Sequence, residues 1–413
     1  MKTYHWKRLS AVAAASLVIT GAIADTKQPS TVYRDVTATH VPVDSDLHAL
    51  GSTMADIDND GDLDVIVAVE HGVNRLYLND GTGKLTYKAG ALGETPHDNE
   101  HVVAADFNQD GWLDLVFVAE DDRQPSLFFG EEGANFTDQT QRLPAKSEGN
   151  ALAVADVNGD GLPDIVVGNT AEMRNGKVVA NPQNFLWLND KDNPGNFIDA
   201  TETRLPQLAN QTQHLSLVDI NNDGSLDMVV ANQSPPNQLL LNDGQGYFRD
   251  APSLIPADIP LETRQAHVAD FTGDGSPDIL LFNLTSNNHD WDKDPQTRLY
   301  INDGNGKFTD ATEGRIPYNS YSVYSGIPID LNQDGHMDFL AGAIQIPGFV
   351  PLRVRAYINN GKGTFSDETH RFIPEQTVGL SWGMSKGDLN GDGKDDVFIG
   401  GWGTQARLIL SQK

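Results

Sequence analysis

The run DVNGDGLPDIVVGN, residues Asp156 to Asn169, sets oxygen-bearing side chains at Asp156, Asn158, Asp160 and Asp164, then turns into a β-branched apolar stretch. Three carboxylates within nine residues repel one another unless something compensates them. The chain repeats this run seven times. First aspartates stand at Asp56, Asp106, Asp156, Asp219, Asp270, Asp330 and Asp388, spaced 50, 50, 63, 51, 60 and 58 residues apart. A period of that size means a propeller, a solenoid or an array.

Positions 1, 3, 5 and 9 bear oxygen in every copy. They are Asp56, Asp58, Asp60 and Asp64; Asp106, Asn108, Asp110 and Asp114; Asp156, Asn158, Asp160 and Asp164; Asp219, Asn221, Asp223 and Asp227. The set continues with Asp270, Thr272, Asp274 and Asp278; Asp330, Asn332, Asp334 and Asp338; Asp388, Asn390, Asp392 and Asp396. Position 6 is always Gly, as a sharp turn with positive φ requires. Position 7 varies through Asp62, Trp112, Leu162, Ser225, Ser276, His336 and Lys394, so only its backbone carbonyl can serve all seven. Four side-chain oxygens, one carbonyl and water make the hard-oxygen shell of Ca²⁺ and suit Mg²⁺ less well. A helical calcium hand is excluded: position 12, where it needs Glu, is Val67, Phe117, Val167, Val230, Leu281, Ala341 or Ile399. The residues after position 9 read as buried strands, so each loop joins two strands. About seven structural calcium sites are expected.

The rest of each repeat is also β. A variable loop leads to a short apolar strand, a hairpin such as Asn302-Asp-Gly-Asn-Gly306, a fourth strand such as Phe308–Thr312, and an Ile-Pro or Leu-Pro step. Four strands per repeat suit a propeller blade. From Asp388 onward only 26 residues remain, enough for two more strands. Residues 32–37 match the fourth-strand pattern, so the N-terminal strand is expected to complete the last blade and close the ring. The predicted fold is an all-β, seven-bladed propeller with four antiparallel strands per blade, forming a single domain over residues 25–413.

These acidic loops and Asn-Asp-Gly-x-Gly hairpins resemble the FG-GAP/VCBS repeats, the propeller family that also forms the integrin α-subunit head. The resemblance covers roughly residues 31–413 and implies the seven-bladed fold and calcium. It is unspecific for function, since the family includes adhesion proteins, carbohydrate binders and a few enzymes. Departures are Thr272 at position 3 of the fifth loop and the degenerate hairpin Gly130-Glu-Glu-Gly133.

Lys2, Lys7 and Arg8 precede an apolar stretch over residues 9–19 and an Ala22-Ile-Ala24 site, the pattern of a signal peptide cleaved near Ala24. A secreted, periplasmic or cell-surface protein of bacterial type is expected, monomeric and without a transmembrane segment. There is no cysteine, hence no disulfide. The net charge of −29 argues against nucleic acid as a partner.

The metal loops all fall on one face of the ring. The opposite face collects three long loops and aromatic residues, including Trp291, Tyr324, Trp382 and Trp402. His101 and His214 stand five residues before their loops; Glu100, Arg264 and Tyr324 stand six before theirs, at the expected channel mouth. Glu100, His101, His214, Arg264, Trp291, Tyr324, Trp382 and Trp402 are therefore the candidate ligand-binding residues. The reading is an exported binding or adhesion module for an extracellular glycan or protein, with no catalytic residue assigned. The alternative is a polysaccharide-active enzyme, of lyase or sugar-dehydratase type, at that mouth.

Overall fold

The second strand of each repeat is a solid apolar run, and every residue of Asp64–Val69, Asp114–Ala119, Asp164–Asn169, Asp227–Asn232 and Asp396–Gly401 is buried. Such strands are stable only when both faces are covered. In this computed structural model they lie between neighbouring blades. The structure describes residues 31–412 apart from 122–123, 145, 171, 175–176, 181–182, 210, 235, 286–293, 347 and 349. The expected signal peptide and Trp291 lie outside the described residues.

Seven antiparallel sheets form the seven blades. The first runs through Ala49–Ala55, Asp64–Val69, Arg75–Asn79 and Leu85–Tyr87 in simple up-and-down order. First strands of consecutive blades pack side by side around the channel, the seventh blade's against the first's. Closure occurs as the sequence predicts: Tyr33–Asp35 pairs with Arg407–Ser411 and becomes the outer strand of the last blade. No helix among the described residues is long and apolar enough to cross a membrane.

Register repeats with the sequence. In every blade the residue before loop position 1 pairs with the position-9 aspartate, as in Ala55 with Asp64 and Gly387 with Asp396. Every first strand also has an irregularity near its start, five blades skipping one residue between Ala49 and Gly51, Asn99 and His101, Gly149 and Ala151, Thr212 and His214, and Thr263 and Gln265. The sixth skips Tyr324, and the seventh skips Trp382 and Gly383. A bulge bends its strand and re-aims the extra side chain.

Adjacent blades are also latched by an asparagine at the end of the third strand. Asn302 donates from Nδ2 to the carbonyls of Ile220 in the preceding blade (2.9 Å) and Pro277 in its own (3.1 Å). Its Oδ1 accepts the N–H groups of Gly304 and Gly306, both at 3.0 Å. Asn79, Asn189, Asn242 and Asn359 reach Leu389, Phe107, Val157 and Phe271 in the same way, each at 2.8 Å. The carbonyl held is always that of loop position 2 in the preceding blade. Two blades lack the latch: Gly130 and Ser411 occupy its place.

A one-turn helix absent from the sequence reading precedes several of the X-Pro steps, at Thr37–His40, Thr201–Arg204 and Thr369–Phe372. Its signal is Asp-x-Thr. The Asp199 carboxylate accepts the Thr201 N–H at 3.0 Å, and the Thr201 hydroxyl oxygen accepts the Leu186 N–H at 3.1 Å.

Candidate functional site

The acidic loops are held first by their own backbone. In all seven, one position-1 oxygen accepts the N–H of position 5 and the other that of position 6, at 2.7–3.2 Å. Position 9 is buried. Its Oδ2 accepts the position-2 N–H and its Oδ1 accepts an N–H at the end of the third strand, at 2.7–3.2 Å. Positions 4 and 6 both take left-handed φ, from Asn59 (57°) and Gly61 (97°) in the first loop to Gly391 (70°) and Gly393 (82°) in the last. Position 4 is therefore always Asn, Gln or Gly, a restriction the sequence reading overlooked.

Burial pushes the position-9 carboxyls up, against the opposing pull of these N–H bonds. Asp64, Asp114 and Asp164 reach about 7, and Asp227, Asp338 and Asp396 about 6. Nearby position-1 or position-5 aspartates raise them further. The first loop fits a hard divalent cation. Oxygens of Asp56, Asp58 and Asp64 lie within 4.8 Å of one another, and Asp58 Oδ1 is buried without a hydrogen-bond partner. Position 9 retains a second lone pair on each oxygen for such an ion.

The opposite end of the channel is built by the bulges. Their skipped residues, Leu50, Glu100, Asn150, Gln213, Arg264, Tyr324 and Trp382, one from each blade, line a single cavity of about 140 Å³. Glu70, Glu120, Gln233 and Trp402, from the ends of second strands, complete it. Five of the sequence candidates thus meet: Glu100, Arg264, Tyr324, Trp382 and Trp402. His101 and His214 belong to a row of rings with His267, at centroid separations of 6.1 and 4.9 Å. Glu70 and Glu120 escaped the sequence reading, although both end an apolar strand with a lone carboxylate, as VAVE and FVAE.

The cavity has an aromatic wall and an acidic one. Rings pack in the row His48, Trp402, Trp382, Tyr324, the first three stacked and the last tilted, with centroid spacings of 5.1, 5.2 and 4.2 Å. Trp382 is 9% exposed and Tyr324 3%, packed on Leu284, Ile344 and Ile346, while Trp402 is less buried. The Trp402 indole N–H donates to Glu70 at 2.5 Å. Facing these rings, Arg264 lies 3.9 Å from Glu100 and donates to Asn150 (3.2 Å) and Gln213. Burial, and then neighbouring carboxylates, push the Glu120 carboxyl up to about 8 and that of Glu100 well above its ordinary range. Burial drives the His101 and His267 imidazoles down to about 4 and that of His214 well below its ordinary value. A larger groove of about 1260 Å³ flanks the outer strand near Thr31–Val43. The smaller mouth is the better candidate, because every blade aims one side chain into it.

The FG-GAP-like repeat model matches residues 56–117, 116–167, 219–281, 285–341 and 350–399, and the FG-GAP repeat model matches 149–188. Cartilage acidic protein 1 of Xenopus tropicalis is 23% identical over 402 residues, covering 89% of this chain and 60% of that protein. Its mouse counterpart is 27% identical over 158 residues, 35% of this chain and 24% of that protein. The T-cell immunomodulatory protein homolog of Plasmodium yoelii yoelii is 24% identical over 216 residues, 44% of this chain and 30% of that protein. The chain thus spans at most about 60% of the length of these relatives. All three are eukaryotic, so the expectation of a bacterial type is not borne out. With repeats matched along most of its length and seven blades built on them, the chain belongs to the FG-GAP-like repeat family.

Proposed function

We propose that this propeller is an exported, calcium-stabilised binding module that presents its channel mouth to an extracellular glycan or protein. The observation that carries the reading is the convergence of seven bulges on one cavity. The oxygen-bearing positions of the acidic loops hardly vary, yet the seven bulge side chains are Leu, Glu, Asn, Gln, Arg, Tyr and Trp. A purely structural ring would need no such diversity. Aromatic rings with polar tips beside carboxylates and a guanidinium suit the apolar faces and hydroxyls of a sugar, or an exposed peptide side chain. Calcium, held by positions 1, 3, 5 and 9 with the position-7 carbonyl, would neutralise the opposite face and stiffen the ring that positions the mouth.

A second reading, catalysis on a polysaccharide, draws on Glu120. A carboxyl pushed up to about 8 beside Glu100 and Arg264 has the character of a general acid. The deciding experiment is a glycan array and an extracellular-protein panel probed with wild type, Trp402→Ala and Glu120→Gln in saturating calcium. A wild-type ligand lost in both variants supports the binding module, and turnover of a bound glycan abolished by Glu120→Gln favours the enzyme. A ligand held equally by all three proteins sinks the placement at the mouth.

A further inference from the structure

Beside the mouth, at the junction of the first and second blades, stands a second and chemically different group of metal-ligating side chains. Glu70 directly follows the second strand of the first blade, His71 comes next, and Asp98 precedes the first strand of the second blade. Each offers one ligand atom, and the three atoms lie within 4.8 Å of one another. Two features of the backbone bring them together. His71 takes φ 54°, a left-handed turn immediately after the strand. Gly72 and His97 exchange backbone hydrogen bonds of 3.2 and 3.1 Å, which bind the two segments to each other. Gly72 has no room for a side chain, since a Cβ there would meet Val69 Cγ1 at 2.6 Å.

Asp98 is 5% exposed, and one of its oxygens accepts the Asp121 N–H at 2.9 Å. The other faces His71 Nδ1 at 2.6 Å. An ion pair alone would account for that contact but not for the third ligand atom within 4.8 Å, on Glu70, whose carboxylate also accepts the Trp402 indole N–H. Asp98 lies among the carboxylates of Glu70, Glu100, Glu120 and Asp121, and the nearby guanidinium of Arg264 is turned to Glu100, Gln213 and Asn150. Burying several carboxylates against one guanidinium is unfavourable unless protons or further positive charge are supplied. A divalent ion bound by Glu70, His71 and Asp98 supplies such charge. Ligands about 2.1 Å from one tetrahedral ion stand roughly 3.4 Å apart, a span inside the 4.8 Å that holds these three atoms.

We infer that Glu70, His71 and Asp98 form a transition-metal site at the rim of the channel mouth, distinct from the seven oxygen-only loops. One imidazole nitrogen and two carboxylates suit Zn²⁺ or Co²⁺, whereas Ca²⁺ takes oxygen ligands alone. Glu70 also lines the mouth, so water or an oxygen of a molecule bound there would be near enough to complete the coordination.

The test uses untagged full-length protein in millimolar calcium, so that the loops cannot compete for the added metal. Zn²⁺ is titrated by calorimetry and Co²⁺ is followed by its visible absorption. Wild type is expected to take up about one equivalent of either ion, and His71→Asn, which tolerates the left-handed backbone, to bind at least about tenfold more weakly. Asp98→Asn should weaken binding similarly, and His40→Ala, on the outer rim, should leave it unchanged. The melting temperature of His71→Asn without added transition metal establishes that the variant is folded. Absence of saturable uptake by wild type, or equal affinity in wild type and His71→Asn, overturns the site and leaves an ion pair. Neither result bears on the glycan or protein ligand, whose binding is measured separately without zinc.

Discussion

The third-strand asparagine shows how much one side chain can hold. Asn302 uses both amide hydrogens and both acceptor positions, and its partners lie in two blades. Asn302→Ala strands the Ile220 carbonyl at a buried joint and should lower stability by at least about 2 kcal/mol in urea denaturation with calcium present. Asn302→Asp should fail similarly, because it keeps the acceptors and loses both donors. The histidine row gives a pH signature. His101 and His267, held near 4 when folded, have ordinary values near 6.5 in the unfolded chain, so acid protonates the unfolded state first. Their contribution is complete above about pH 6.5 and fades as pH falls toward 4; the melting temperature of His267→Gln should therefore depend less on pH across that window than that of wild type. The two tryptophans of the mouth should separate. Trp382→Ala, in the packed cluster, should lose about 3 kcal/mol or more of stability, whereas Trp402→Ala should lose ligand first. Sequence alone shows Asn-Asp-Gly as a turn, and the turn is real. The latch was not legible, because the carbonyl that Asn302 holds is 82 residues away and no local pattern points to it.

At the scale of the element, the blade is the most legible feature of the chain. Period, apolar second strand, glycine at position 6 and hairpin all point to one local structure, and such agreement across levels is what makes a sequence specify a fold. The bulge was half legible: Glu100, Arg264 and Tyr324 stand at one repeat position, but only the broken register shows why they face the mouth. Glu70 and Glu120 were missed because a carboxylate ending a buried strand reads as a solvated boundary. For the acidic loops, excess EDTA should lower the melting temperature by at least about 5 °C, since a ligand that binds only the folded state stabilises it by mass action. An unmoved melting curve would mean that backbone N–H groups alone hold the aspartates. Asp160→Ala should weaken calcium binding and leave recognition at the mouth intact once calcium is saturating, because loop and mouth occupy opposite ends of the first strands.

For the whole molecule, closure depends on a strand supplied from the other end of the chain. Deleting residues 25–40 removes Tyr33–Asp35 and exposes the edge of Arg407–Ser411. The truncated protein should melt at least about 5 °C lower and associate through the bared edge, as sedimentation would show. The ring is not uniform, however. Asparagine latches join the second blade through to the sixth, and a further one joins the first to the seventh. Between the first and second blades, and between the sixth and seventh, Gly130 and Ser411 leave that bond unmade. The molecule is therefore an arc of five blades clasped by an arc of two, with a weaker seam at each meeting point. One seam is the junction where Glu70 and His71 face Asp98 across the blade boundary. Breathing of the ring would concentrate there, so whatever bridges that boundary acts as a rivet, and its removal would loosen the mouth before it loosened any blade.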